Sequence, residues 1–393
     1  MIAKFALFSL PIIAFFSNIF SVSSSFQGAF SIILLTLLFA SLFDNKAPSR
    51  IKVDKIGKSV VAILLTYTSI SASYVLIFDG NGDFKKLALL LMSFSACIWF
   101  LLASCFSQND IEKNFHAFCK GALIVSAIYV LMIASVFAEG YTGRAWAEVS
   151  NNLLPKRNDV SIFFMVGLCG YFFLGFGLSP KQRLLACTII TSAILFSFSR
   201  SAYLAIAIIT IYFAIGSKHK TTIICFASIF ILSIFYAEDN PVLNRIQYTF
   251  KDGDYDDSTN ARFFIWQLAM DLAEKYPIFG IGAGRAPLWG TSHYQLNSDS
   301  INFAHNYFIT QLYQLGIVGL GLTILMFSTY FVLAKKLPEG EARFSVSILI
   351  IFIVMSFSGE PMYGYSKYIF IIMYSSIINK ELATPLKTTP STY

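Results

Sequence analysis

Arg200 stands in SFSRSAYLAI (197–206), between two apolar stretches. A guanidinium held near lipid costs on the order of 2.5–3.5 kcal/mol at mid-membrane and less at an interface, so it needs a partner. A phosphate suits its planar fork. Arg262 lies in NARFFIW (260–266), with Trp266 four residues on and therefore on the same face of a helix. The local pattern puts Arg262 in a first helical turn, where the helix dipole disfavours a cation. PIFGIGAGR (277–285) ends on Arg285. It lacks the strand–turn–helix setting of a dinucleotide fingerprint. It reads instead as a glycine-rich loop that brings backbone N–H groups and Arg285 to an anion. His305 opens HNYFITQLYQLGIVG (305–319). A neutral imidazole there can take a proton from a substrate hydroxyl. Three cations and one base fit a phosphate-bearing substrate whose reaction needs a deprotonated hydroxyl. Each residue also has a plainer reading: a snorkelling or capping Arg200, an Arg262 stacked on Trp266, a structural His305.

Other patterns add less. Glu360, in SGEPMYG (358–364), either neutralises Lys367 or orients His305 or an arginine. DGDYDD (252–257) is not a calcium loop, because the sixth and twelfth positions hold Asp257 and Phe263 where Gly and Glu are needed. No HExxH, GxSxG or Walker pattern occurs, and the six cysteines lie in or beside apolar runs with no CxxC pair. No metal site and no cofactor are expected. Gly316, Gly319 and Gly321 suit close packing between helices.

The elements that must position these residues follow from composition. Of 393 residues, 56% are hydrophobic and 13% charged, and the mean hydropathy is +0.65. A soluble domain holds about 45–50% apolar and about 25% charged residues. The chain is therefore not an ordinary globular protein, a disordered chain or a nucleic-acid binder. Twelve apolar runs, near 5–20, 28–43, 58–79, 87–106, 117–138, 159–179, 184–199, 202–216, 221–237, 306–334, 344–358 and 362–379, are each about the length of a membrane span. The first is read as a retained helix. The 40 Phe residues suit lipid-facing surfaces. With the N-terminus inside, 17 of the 29 Lys and Arg fall on the cytoplasmic side.

The expected fold is an all-α integral membrane protein of about 12 transmembrane helices with one large, partly helical outer loop between helices 9 and 10. Its parts are helices 1–9 (1–237), the loop (238–304), helices 10–12 (305–380) and a polar tail (381–393). The loop is too long and too aromatic for a linker, with Trp266, Trp289, Tyr248, Tyr255, Tyr276 and Tyr294. Within it a helix is expected over 261–275, capped by Ser258, Thr259 or Asn260 and stopped before Pro277. This topology puts Arg200, Arg262, Arg285 and His305 on one face of the membrane.

SRSAYLA around Arg200, ARFFIW around Arg262, PIFGIGAG from Pro277, and HN at 305–306 followed by nine residues, Gly316, two residues and Gly319 together resemble the O-antigen ligase family over roughly 190–320. That family belongs to a broader group with O-antigen polymerases and protein O-oligosaccharyltransferases. The resemblance implies transfer of a glycan from undecaprenyl pyrophosphate to lipid A–core at the periplasmic face of the bacterial inner membrane. The enzyme would be a multi-pass, metal-independent inverting glycosyltransferase. By position, Arg200 and Arg262 would bind the pyrophosphate, joined by Arg285, and His305 would activate the acceptor hydroxyl. Asn306, Glu360 and Trp266 would support them. Membrane lipids are expected partners; nucleic acid is not. Two alternatives stand beside this reading: an O-antigen polymerase joining lipid-linked repeat units, and a lipid-linked glycan flippase or transporter.

Overall fold

The computed structural model describes residues 2–19, 63, 66, 67, 70, 111–138, 157–197, 199–215, 257–283, 304–359, 361–362 and 366–383. The second, fourth and ninth apolar runs, most of the third and the polar tail from 384 lie outside the described residues. Among the described residues the regular structure is entirely α-helical: α1 (Ile2–Ile19), α2 (Ile111–Ala138), α3 (Arg157–Phe173), α4 (Pro180–Phe196), α5 (Arg200–Ile215), α6 (Asp257–Lys275), α7 (Tyr307–Ala334), α8 (Glu339–Ser356) and α9 (Ser366–Ala383). Two of these helices contain stretches long and apolar enough to cross a membrane, Phe115–Ser135 and Tyr307–Ala334.

Local sequence explains several boundaries. Ser179 caps α4 in a capping box with Gln182, and Pro180 occupies the first turn, where its missing N–H costs nothing. Asn306 caps α7, its Oδ1 accepting from the amides of Phe308 (3.1 Å) and Ile309 (3.2 Å). The Ser199 hydroxyl accepts from the Ala202 amide at 3.3 Å and so caps the start of α5.

Packing sorts the helix ends into two groups. At one end Tyr129 of α2 donates to the Phe196 carbonyl at 2.7 Å, Ser161 of α3 donates to Ser197 at 3.0 Å, and Ser199 donates to Asn158 at 2.7 Å. The Ser201 hydroxyl of α5 bonds that of Ser358, just past α8, and Phe308 of α7 packs on Phe357 with ring centroids 5.1 Å apart. At the other end Phe115 meets Phe344, Phe173 meets Phe213, and His116 stacks on Phe176. The grouping follows the up-and-down order expected from the basic residues.

The core is aromatic. Phe15, Phe115, Phe118, Phe163, Phe164, Phe344, Phe352 and Phe370 are buried, with Tyr330 stacked on Phe370 at 4.9 Å. These phenylalanines hold helix to helix instead of lining the lipid, a correction to the compositional reading. The outward ridges are more often aliphatic: Leu184, Leu185, Leu204, Ile211, Ile324 and Val332 are exposed.

One helix is broken. Inside α7, Gly316 has φ 67° and ψ −168°, a conformation open essentially to glycine alone. The loop after α6 fills the break. The amides of Ile281 and Gly282 donate to the carbonyls of Tyr313 and Gln314, both at 2.9 Å. The amides of Ile317 and Val318 donate back to the carbonyls of Pro277 (2.8 Å) and Ile278 (3.4 Å). A Cβ on Gly316 would sit 2.1 Å from the Ile278 oxygen, and one on Gly280 would sit 2.4 Å from the Gln314 carbonyl carbon. Gly321 meets nothing within 4 Å. The three glycines therefore do not form one packing face: Gly316 makes the break and Gly321 is open. Gly316→Ala should cost on the order of 3 kcal/mol or more, from strain plus overlap. Gly321→Ala should be neutral or slightly stabilising. Thermal unfolding of the two purified variants checks this, and equal midpoints would contradict the difference.

Candidate active site

Helix α6 carries Arg262 and Trp266. It starts at Asp257, so Ser258, Thr259 and Asn260 lie inside its first turn and do not cap it. Arg262 is one turn deeper than expected and largely outside the reach of the N-terminal dipole, which falls off within the first turn. The C-terminal boundary at Lys275, two residues before Pro277, is as the sequence suggests. The apolar face of α6, with Ile265, Ala269 and Ala273, packs on Tyr313 of α7.

That docking fixes the residue before His305. The Trp266 indole N–H donates to the Ala304 carbonyl at 2.7 Å. The Ala304 amide donates to the Thr310 hydroxyl at 3.1 Å. On the far side Asn306 is buried and held by its two capping bonds. His305 is thus pinned from both neighbours, and its own backbone is left-handed, with φ 52°. For a non-glycine residue this costs on the order of 1–3 kcal/mol and persists only where the surroundings enforce it. Trp266 and Asn306 thus engage the backbone on either side of His305.

The electrostatics of His305 depend on the same docking. Part of its surface reaches solvent, but much of the volume around it is protein. That crowding penalises the imidazolium and pushes the pKa below its ordinary value; the Arg262 guanidinium, within electrostatic reach, pushes it further down. The structure therefore brings Arg262 and His305 into one electrostatic neighbourhood. His305 is neutral at neutral pH and free to accept a proton.

Arg200 opens α5 and is half-buried. The serines on either side of it tie it to different helices: Ser199 to Asn158 of α3, and Ser201 to Ser358 after α8. Phe357, the neighbour of Ser358, packs on Phe308, three residues after His305. Arg200 and His305 thus belong to the same end of the bundle. The polar supports Ser199, Ser201, Ser358 and Thr310 were not singled out from sequence. The signal was present in SRS, where two hydroxyls flank an arginine beside an apolar helix.

Arg285 and Glu360 lie outside the described residues. The glycine loop is described as far as Ala283. The amides of Ile281 and Gly282 are engaged by α7 carbonyls and do not serve an anion. Among the described residues no group of three or more His, Cys, Asp or Glu could hold a metal ion.

The Arg262–His305 coupling is testable without any assay of activity. The His305 ring should titrate by NMR with a midpoint below 6.5. In Arg262→Gln the midpoint should rise, because removing a cation favours the imidazolium. A midpoint that does not move would show that the two side chains do not sense each other.

No curated protein matches this chain. A family model described as O-antigen ligase matches residues 185–324. That span begins in α4 and runs through Arg200, α6 with Arg262, the glycine loop, His305 and the break at Gly316. The match supports a membrane-associated, glycosyltransferase-like enzyme of O-antigen assembly, of the ligase/polymerase type. The family so described implies lipid-linked glycan and lipid A–core as a general substrate class. Over residues 185–324, about a third of the chain, the sequence is therefore similar to the O-antigen ligase family.

Proposed function

We propose that this protein is an O-antigen ligase that moves a glycan from undecaprenyl pyrophosphate to a hydroxyl of lipid A–core. The observation that carries the reading is the seating of His305. Its backbone is left-handed, it stands at the bundle end that holds Arg200, and burial and the field of Arg262 both push its imidazole pKa down.

The reaction follows from these parts. The acceptor hydroxyl attacks the anomeric carbon from the face opposite the pyrophosphate. His305 takes the hydroxyl proton as the new glycosidic bond forms. The bond between anomeric carbon and phosphate oxygen breaks, and its electron pair leaves with undecaprenyl pyrophosphate. Arg200 and Arg262 stabilise the charge that develops there, with Arg285 joining from beyond the described loop. Configuration inverts. Positioned donors of this type each contribute about 3 kcal/mol to such a transition state. The donor bond supplies the energy. The bundle would complete twelve spans in the bacterial inner membrane, with 238–304 and the active site facing the periplasm.

Two measurements test the reading. In purified protein, His305→Ala should lower transfer by about 10²-fold or more while binding of the lipid-linked donor survives. Transfer near the wild-type rate would remove His305 as the base. A strain lacking the protein should accumulate long glycan on the lipid carrier and leave lipid A–core bare. A core bearing a single repeat unit would identify a polymerase instead.

A further inference from the structure

The broken helix has a third participant besides its own chain and the glycine loop. Three successive carbonyls of α7 precede the break, those of Tyr313, Gln314 and Leu315. The first two accept from the loop amides of Ile281 and Gly282. The third accepts from the hydroxyl of Tyr67, at 3.1 Å. The same hydroxyl lies 3.3 Å from the carbonyl of Phe279 in the loop. Tyr67 is half-buried, and its ring packs against Ala283 and Leu315. A residue of the third apolar run, 248 positions from Leu315, therefore bridges the two strips of backbone that meet at the break.

We propose that Tyr67 is a positioning residue for the transfer reaction: its hydroxyl latches the glycine loop to the broken helix and so holds α6 and α7 in the register that aligns Arg262 with His305. The physical reason is the shortage of donors at a helix break. Backbone carbonyls within a membrane protein must be satisfied from within the protein. The loop supplies two amides. The phenol supplies the next donor, and its position between a loop carbonyl and a helix carbonyl resists separation of the two. Two ties then set the geometry of α6 on α7. One is Trp266 to Ala304, beside His305. The other is the break, about two and a half helical turns below it. With only the first, α6 could pivot about Trp266 and carry Arg262 away from His305. Arg200 is held separately, through Ser199 and Ser201.

The test is Tyr67→Phe in the full-length protein, in nanodiscs of bacterial phospholipid, with lipid-linked glycan and lipid A–core as substrates. The kinetic arm rests on the proposed transfer reaction. The variant keeps the ring and loses only the hydroxyl. We expect kcat to fall about fivefold, as for loss of one aligning hydrogen bond, while KM for the donor stays within about twofold. Amide exchange at Ile281, Gly282, Ile317 and Val318 should accelerate together. Wild-type kcat in the variant overturns the proposal. So does a fall in kcat with unchanged exchange at these amides, or a rise in KM alone. If the wild-type protein transfers no glycan, the reaction reading fails; unchanged exchange would then still overturn the latch, and accelerated exchange would still support it.

Discussion

Backbone hydrogen bonding at the break in α7 governs the arrangement around it. A glycine with φ 67° and ψ −168° interrupts a long apolar helix. The groups on either side of the interruption need partners that the helix no longer supplies. In a membrane protein each unsatisfied one costs several kcal/mol. The segment 277–282 answers both sides, donating from Ile281 and Gly282 and accepting at Pro277 and Ile278. Four backbone bonds leave that segment little freedom. Because it directly follows α6, the end of α6 becomes part of the wall of α7. The relation between Arg262 on one helix and His305 at the head of the other then rests on these backbone bonds together with the side-chain ties of Trp266 and Tyr67.

This explains why strain can be kept at His305. A left-handed histidine is stable only if its neighbours are better satisfied than they would be otherwise. Ala304 has both its amide and its carbonyl engaged, and Asn306 closes the first turn of α7. Removing either neighbour's bonds would let His305 relax and turn its ring away. Arg200 is fixed by the same device, with the hydrogen bonds on the flanking residues. In both places the hydrogen bonds of the flanking residues fix the backbone from which the side chain projects.

What the sequence disclosed and what it hid divide along physical lines. Type and spacing single out Arg200, Arg262 and His305 as candidates, and the structure adds that Arg262 and His305 share one electrostatic neighbourhood. Charge alternation gave the order of the helix ends that the packing shows. The start of α6 at Asp257 lies four residues before the expected 261, since Ser258, Thr259 and Asn260 can cap a helix or sit within its first turn and local pattern does not choose. The glycine loop was assigned to an anion because a row of glycines looks the same whether its amides face phosphate or a broken helix. Only the partner, thirty residues on, decides between them. Tyr67 was invisible for the same reason: one tyrosine in an apolar run carries no mark of a carbonyl hundreds of residues away. The phenylalanines misled because composition does not say which face of a helix is lipid and which is protein.

One consequence of the Arg262–His305 pairing concerns the order of events. Arg262 lowers the basicity of His305, which suits a base that must stay neutral but weakens its pull on a hydroxyl proton. On the proposed reading the pyrophosphate of the donor binds beside Arg262. Its negative charge then offsets the guanidinium, and the imidazole regains basicity as the donor arrives. The base is strongest when there is a glycan to transfer, and weakest when the site is empty and a proton taken from water would lead nowhere. Crowding by the protein, the larger cause of the depressed pKa, persists throughout and keeps the ring from being protonated before the acceptor enters. On that reading a single cation would both stabilise the leaving group and time the base. The demand on geometry is strict, since both effects fall with distance, and the clamped break in α7 meets it.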